Sequence, residues 1–340
     1  EPARIAVHEQ FMEHVMSHAP GYRKLMGWTP VPIMPTPAGE GMMFRVYAER
    51  NKMNVVGVGL GGATTNVYSI VDGRFVRSVS ANLGMSYSIC NVLNEAGIEN
   101  ITRWLPFEIE ETDVLNRLRN KMIRPTTVPQ TIQSLMIEHA VAREALRLGF
   151  QHHKSLARPL LGTVRGGDIS RIFDQDRTQT YIDLMRVNCL GGTGGLLSHA
   201  PRRIQSMLVL IDGFQVEGVT RLFQDSVFMM PHLGVLSTVQ PGAALEIFER
   251  DCLVRLGTCI APKGSVDEGG RMATLTLDMP NGEVVEEEMM GGTIRRIPLG
   301  EGETAEVEIK PSMRFNVGNG LGRRLVTKIE GGVVGVILDG

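Results

Sequence analysis

A glycine-rich turn between two β-type runs, followed by an Asp-Gly hairpin, constrains this chain more than any other feature of its sequence. A valine-rich run over 55–58 leads into Gly59-Leu-Gly-Gly-Ala-Thr-Thr-Asn66. Two further β-type runs, over 67–71 and 74–79, flank Asp72-Gly73. Asp-Gly favours a two-residue hairpin because glycine readily adopts the positive φ that such turns require. The pattern predicts a strand, a glycine-rich turn and a hairpin that returns along the strand.

The turn at 61–65 has the composition of a phosphate-binding loop. Gly61 and Gly62 let backbone N–H groups approach a phosphate, and the hydroxyls of Thr64 and Thr65 can donate to its oxygens. The Gly-Lys-Ser/Thr of a Walker loop is missing, and a hairpin stands where the dinucleotide fingerprint needs a helix. An ordinary β-turn without a ligand accounts for the same residues, so this turn alone leaves both interpretations open.

A second glycine-rich turn lies about 130 residues later in the chain. An apolar run over 184–190 is followed by Gly191 and then by Gly192-Thr-Gly-Gly195 and Ser198-His-Ala-Pro201. Two strands that end in such turns at one edge of a sheet would form the walls of a nucleotide cleft. Two unrelated loops are the alternative.

Composition excludes several classes of protein. The 340 residues carry a formal net charge of −2, which argues against nucleic acid as the main partner. No apolar run reaches the ~18 residues of a membrane helix. Four cysteines without a C-x-x-C pair are typical of free thiols in a reducing cytoplasm. The chain begins at Glu1, and we expect it to be a processed product or part of a longer protein.

The chain is expected to divide into three parts. Residues 1–50 are predicted to form an N-terminal helix and a strap rich in proline (Pro30, Pro32, Pro35 and Pro37). Residues 51–260 alternate strand and helix patterns, as in an α/β lobe. Residues 261–340 combine short β runs with Asn-Gly and Gly-Gly turns, which predicts a small all-β module.

Other candidate sites are weaker. His152-His153 lacks the i,i+4 spacing of a metal pair and is expected to be solvated surface. Ser198-His199 lacks the nucleophile elbow, and adjacent side chains rarely align for proton transfer. His139, on an apolar helix face, is expected to be a core histidine. No catalytic or metal-ligating residue is assigned from these patterns.

Several segments resemble the glutamate mutase accessory proteins of the MutL type, in the actin/Hsp70/sugar-kinase ATPase superfamily. That family's Asp-x-Gly-Gly-Ala-Thr-Thr-Asp pattern is matched from Gly59 to Asn66, and Gly192–Pro201 resembles its adenosine-side loop. Similar segments at 18–21, 35–37, 225–234, 316–318 and 331–335 extend the resemblance over nearly the whole chain. The family's N-terminal lobe, with the first phosphate-binding strand pair, is expected to be missing.

The resemblance implies an α/β fold: an actin-like (ribonuclease-H-like) ATPase lobe with added helices and a small C-terminal all-β module. It implies that the phosphates contact Gly61, Gly62, Ala63, Thr64, Thr65 and Asn66, and that the nucleoside contacts Gly192, Thr193, Gly194 and Gly195. ATP or ADP with Mg²⁺ is the implied cofactor. The implied partner is an adenosylcobalamin-dependent mutase, which such factors help to exchange damaged cobalamin through a nucleotide-driven conformational change. A homo-oligomer is compatible with this role.

Two departures from the family pattern bear on hydrolysis. Gly59 and Asn66 stand where the pattern has carboxylates. Glycine supplies no ligand, and asparagine lacks the charge that balances Mg²⁺. Because electrostatic positioning supplies most of the rate in phosphoryl transfer, we expect weak or lost ATP hydrolysis. The alternatives are a nucleotide-free docking or structural subunit and an active ATPase completed by an N-terminal lobe or a partner chain.

Overall fold

The computed structural model describes residues 2–28, 31, 33–158, 180–265 and 267–340. Pro30 and Pro32 of the predicted strap lie outside the described residues. The described helices are α1 (Pro2–His14), α2 (Tyr22–Met26), α3 (Thr36–Asn51), α4 (Ile89–Ala96), α5 (Ile98–Thr102), α6 (Glu111–Ile123), α7 (Ile132–Leu156), α8 (Gly195–Ser198), α9 (Arg203–Phe214), α10 (Met230–Ser237) and α11 (Pro241–Ile247). Two 3₁₀ turns and a π-helical turn accompany them, at Met16–His18, Leu184–Arg186 and Phe248–Cys252.

The described strands belong to two sheets. They are β1 (Val55–Leu60), β2 (Thr65–Val71), β3 (Arg74–Ser80), β4 (Cys189–Thr193), β5 (Gly218–Asp225), β6 (Leu253–Ala261), β7 (Arg271–Asp278), β8 (Val284–Met290), β9 (Ile294–Ile297), β10 (Thr304–Pro311), β11 (Leu325–Glu330) and β12 (Gly335–Asp339). Among these strands, eight form a large mixed sheet in the order β3-β2-β1-β4-β5-β6-β12-β9, and four form a small sheet in the order β11-β10-β7-β8.

The first five strands of the large sheet have the ribonuclease-H-like arrangement. β1, β2 and β3 pair antiparallel as a meander, while β4 and β5 lie parallel to β1 on its other side. The predicted hairpin is confirmed: Asp72 and Gly73 both have positive φ, 51° and 74°. The actin-like α/β fold class expected from the sequence is therefore confirmed, and the parallel pair β1–β4 places the ends of both strands at one edge of the sheet.

Helices cover both faces of this sheet and pack apolar side chains against it. One buried cluster joins the sheet to α4, α6, α7 and α9, and another joins it to α3, α10 and α11. In the second cluster Phe44 of α3 stacks on Tyr68 of β2, with 5.3 Å between ring centroids. Helix α3 was not predicted, because its prolines at 35 and 37 suggested irregular chain. Proline is well tolerated in the first turn of a helix, which is where Pro37 lies.

The C-terminal segment contributes to both sheets. Its four-stranded sheet is antiparallel throughout and corresponds to the predicted all-β module. Strand β12 returns to pair parallel with β6, and β9 pairs antiparallel with β12, so this segment also extends the large sheet. The division of the chain into three parts stays a prediction. None of the described helices is both long enough and apolar enough to cross a membrane.

Candidate functional site

The turns that follow β1 and β4 line one cleft of about 1270 Å³. Gly61, Gly62 and Thr64 come from the first turn, and Gly194 and Gly195 come from the second. Because β1 and β4 are parallel neighbours, their carboxyl ends meet at the same edge of the sheet. The structure thus brings the two predicted turns together, while the ligand of the cleft stays a prediction.

Gly194 is required for this convergence. It has φ of +107°, a conformation that side chains rarely adopt, and a Cβ at this position would lie 2.2 Å from the carbonyl oxygen of Leu60. The second turn can therefore lie against the end of β1 only with glycine at 194.

The first turn presents unpaired backbone donors. The amide of Gly61 donates to the carbonyl of Thr64 at 2.9 Å, and the amides of 85–86 donate to the carbonyls of Gly61 and Gly62 at 2.9 and 2.8 Å. Within the described part of the chain, the amides of 62–64 donate to no protein acceptor. Successive N–H groups in a turn form a concavity that suits an anion such as a phosphate.

Four of the predicted site residues do not line the cleft formed by the described residues: Ala63, Thr65, Gly192 and Thr193. The Thr65 hydroxyl is buried and donates to the carbonyl of Leu83 at 2.8 Å. The Thr193 hydroxyl is also buried and donates to Oδ2 of Asp225 at 3.1 Å. Side chains alternate along a strand, so Thr65 points away from the cleft that Thr64 and Asn66 line.

Sequence reasoning missed a buried carboxylate, Glu40 of α3, which lines the same cleft. Its side chain is only 2% exposed, and the Tyr68 hydroxyl donates to its Oε2 at 2.6 Å. Burial raises the pKa of Glu40 to about 7, against the opposing effect of hydrogen bonds from Tyr68 and Asn66. The only sequence signal was one charged residue, between Gly39 and Gly41, ahead of an apolar helix face.

Asn66, at the start of β2, lies beside this carboxylate. Its side chain hydrogen-bonds Glu40 and is only 4% exposed. Among the described residues, its Oδ1 is one of the few buried side-chain oxygens without a hydrogen-bond partner. An unpartnered buried oxygen is costly unless a ligand satisfies it.

Helices α6 and α7 and the loop between them supply further parts of the cleft lining. Lys121 pairs with Glu138 at 3.0 Å. Burial lowers the pKa of His139 to about 4, with a smaller effect from Arg143, so this imidazole is neutral at physiological pH. His199 and Arg202 also line the cleft and are exposed. No three His, Cys, Asp or Glu side chains of the described chain cluster so as to hold a metal ion by themselves.

Comparison with known proteins places these features in a family. A family model described as "MutL protein" matches residues 1–252. Protein MutL of Clostridium tetanomorphum is 25% identical over 277 residues, which cover 74% of this chain. The match covers 57% of that relative, so this chain spans little more than half of its length.

Two solved structures share a more distant likeness. Component A of (R)-2-hydroxyglutaryl-CoA dehydratase from Acidaminococcus fermentans is 14% identical, with a TM-score of 0.32 and coverage of 68% of this chain and 73% of that one. The activator of 2-hydroxyisocaproyl-CoA dehydratase from Clostridium difficile, solved with bound ADPNP, is 12% identical, with a TM-score of 0.29 and coverage of 62% and 68%.

Proposed function

This chain belongs to the MutL family, and from that premise we propose that it is a cytoplasmic accessory protein of an adenosylcobalamin-dependent mutase that binds ATP or ADP and hydrolyses ATP weakly. In this role, nucleotide-driven conformational change helps the mutase to exchange damaged cobalamin. Membership of the family supports the proposed accessory role, and the geometry of the cleft supports the proposed nucleotide binding.

One observation supports nucleotide binding above all others: the two glycine-rich turns, which are remote in sequence, line a single cleft. The unpaired amides of 62–64 suit a phosphate group, and the Thr64 hydroxyl adds a donor. Gly194 and Gly195 offer backbone without side chains on the adjoining strand end, where we place the nucleoside. Weak hydrolysis follows from Gly59 and Asn66, which take the places of two carboxylates in the family pattern.

Calorimetric titration with Mg-ATP and Mg-ADP tests this binding. A Cβ on Gly195 meets no atom within 4 Å, although Gly195 lines the cleft. The variant Gly195→Leu therefore adds a side chain to the cleft lining at a position where its first carbon meets no other protein atom. We expect roughly tenfold weaker nucleotide binding, because a side chain forced against a ligand costs about 1–3 kcal/mol.

Gly242 provides a matched control. It also lies in the first turn of a helix, α11, and a Cβ there also meets no atom within 4 Å. Gly242→Leu should bind nucleotide like the wild type. Equal losses in both variants would contradict the placement of the ligand in this cleft.

The alternatives give different results in the same experiments. If wild-type heats equal those of buffer at millimolar nucleotide, the chain is a nucleotide-free docking subunit. If the chain binds nucleotide and turns over ATP rapidly once a preceding lobe or a partner chain is added, it is an active ATPase completed in that way. The accessory role itself is tested by incubating an inactivated adenosylcobalamin-dependent mutase with the chain, Mg-ATP and fresh cobalamin, and by measuring recovered mutase activity.

A further inference from the structure

The carboxylate of Glu40 occupies the space that a side chain at position 59 would fill. A Cβ on Gly59 would lie 2.2 Å from Oε2, 2.7 Å from Cδ and 2.8 Å from Oε1 of Glu40. These separations are far below van der Waals contact. The family pattern has an aspartate at position 59, in strand β1. In this chain the carboxylate in the same space belongs to Glu40 of helix α3.

Close helix contacts hold Glu40 in this position. A Cβ on Gly39 would lie 2.3 Å from the carbonyl oxygen of Pro231, and a Cβ on Gly234 would lie 1.8 Å from the carbonyl oxygen of Gly39. Helices α3 and α10 therefore touch backbone to backbone next to Glu40. On the sheet side, Tyr68 donates its hydroxyl to the carboxylate. Such packing leaves the carboxylate little freedom to swing away.

Glu40 has no cationic partner in the described part of the chain, where it forms no ion pair. Buried carboxylates are normally paired with a cation or bound to a metal. Next to it, Oδ1 of Asn66 is buried and also unpartnered. Two oxygen atoms of these types suit a hard cation, and Mg²⁺ usually takes one or two protein oxygens and completes its shell with water and substrate phosphates.

We propose that Glu40 replaces the carboxylate missing at position 59 and, with Oδ1 of Asn66, binds the divalent cation of a nucleotide in the cleft. This inference rests on the proposed nucleotide binding and adds to it the residues that confer dependence on Mg²⁺. It assigns the cation to a side chain of α3, while the phosphates contact the backbone of the first turn.

The test compares ADP affinity in Mg²⁺ and in EDTA, by calorimetry on the full chain. For the wild type we expect Mg²⁺ to tighten ADP binding roughly tenfold or more. In Glu40→Gln, which keeps the shape of the side chain, this preference should fall to less than about twofold. Direct Mn²⁺ binding in the presence of ADP, followed by electron paramagnetic resonance, should weaken in parallel.

A control variant and a relocation variant complete the design. Asp339→Asn removes another carboxyl whose pKa burial raises, to about 6, but which lies outside the cleft lining, and it should keep the wild-type preference for Mg²⁺. The double variant Glu40→Ala with Gly59→Asp returns the carboxylate to the strand and should restore the preference. It also provides a result if Glu40→Gln fails to fold.

The outcomes separate this inference from the proposed function. Wild-type protein that binds no nucleotide overturns both. Wild-type protein that binds ADP without a preference for Mg²⁺ overturns this inference and leaves nucleotide binding intact. The same holds if Glu40→Gln keeps the preference, or if the relocation variant lacks it while still binding ADP.

Discussion

Restoring aspartate at position 59 is expected to destabilise the protein unless Glu40 is removed at the same time. The new Cβ would lie 2.2 Å from Oε2 of Glu40, so the carboxylate must move by about 1 Å or more to reach ordinary contact. Overpacking of this kind costs about 1–3 kcal/mol. Displacing Glu40 also strains its hydrogen bond with Tyr68, at 2.6 Å, and bonds of this charged type contribute about 1.5–3 kcal/mol.

We therefore expect Gly59→Asp alone to lower the free energy of unfolding by about 3–5 kcal/mol. In a Glu40→Ala background the clash is gone and the aspartate takes the vacated space. Tyr68 keeps an acceptor in that background, because its hydroxyl also lies 2.9 Å from the carbonyl of Pro37. The cost of Gly59→Asp should then fall to about 1 kcal/mol, which gives a favourable coupling of about 2 kcal/mol or more between the two positions.

Urea unfolding of the four proteins of this cycle, followed by far-ultraviolet circular dichroism, measures the coupling. Gly213→Ala is the matched control: its Cβ would lie 2.6 Å from the Cβ of Leu146, in the buried cluster that does not contain the contacts of Glu40. Its cost should be the same in the wild-type background and in the Glu40→Ala background. A coupling between 40 and 59 below about 0.5 kcal/mol, the range found for independent sites, would refute the claim that the two side chains compete for one space.

Three other predictions concern substitutions of buried residues: His153, Gly234 and Asp225. Burial lowers the pKa of His153 to about 4 in the folded protein, whereas the pKa of an unfolded histidine is near 6.5. The free energy of unfolding should therefore fall by about 3 kcal/mol as the pH is lowered from above 6.5 to 4. His153→Gln should flatten that slope in urea midpoints measured between pH 4 and pH 7. Gly234→Ala places a Cβ 1.8 Å from the carbonyl oxygen of Gly39. It should lower the free energy of unfolding by about 2 kcal/mol and weaken ADP binding. Unchanged ADP affinity would contradict the role of the α3–α10 contact in holding Glu40. Asp225→Asn removes a buried charge that accepts from the Thr193 hydroxyl and should cost about 1.5–3 kcal/mol in urea unfolding, whereas a neutral effect would show that this bond does not stabilise the end of β4.

The parts of the fold that sequence reasoning predicted depend on local residues. Asp72-Gly73 fixes its hairpin by backbone conformation alone, and glycines at the ends of β1 and β4 identify the two turns without knowledge of distant contacts. The meeting of the turns was one of two interpretations that the residues left open, and the parallel pairing of β1 with β4 in the structure is what brings the turns to one edge.

The parts that it missed depend on distant residues or on helical geometry. Nothing near Glu40 in sequence shows that its carboxylate lies against Gly59. The expectation of solvated surface at His152-His153 was wrong for His153, which is buried and lies 2.8 Å from the hydroxyl of Ser78 and 2.9 Å from that of Ser69. Successive residues in a helix point about 100° apart, so the two adjacent histidines of α7 differ in burial. His152 is exposed, although its Nδ1 still lies 2.8 Å from the hydroxyl of Ser80 in β3.

The proposed phosphate contacts and the proposed cation contact come from different parts of the chain. For this reason such a site can lose ATP hydrolysis and still bind nucleotide. The phosphate contacts are backbone amides of a β-turn, and substitutions at other positions leave them in place as long as the hairpin forms. The proposed cation contact belongs to a side chain on α3, held by the packing of Gly39 against α10, and its raised pKa makes it a weaker charge at neutral pH than an aspartate in water would be. Phosphoryl transfer depends on a correctly placed charge, whereas nucleotide binding needs only the amides and a loosely held cation. Replacing a strand aspartate by a helix glutamate should therefore reduce turnover far more than affinity, which is the behaviour that a nucleotide-responsive accessory protein needs.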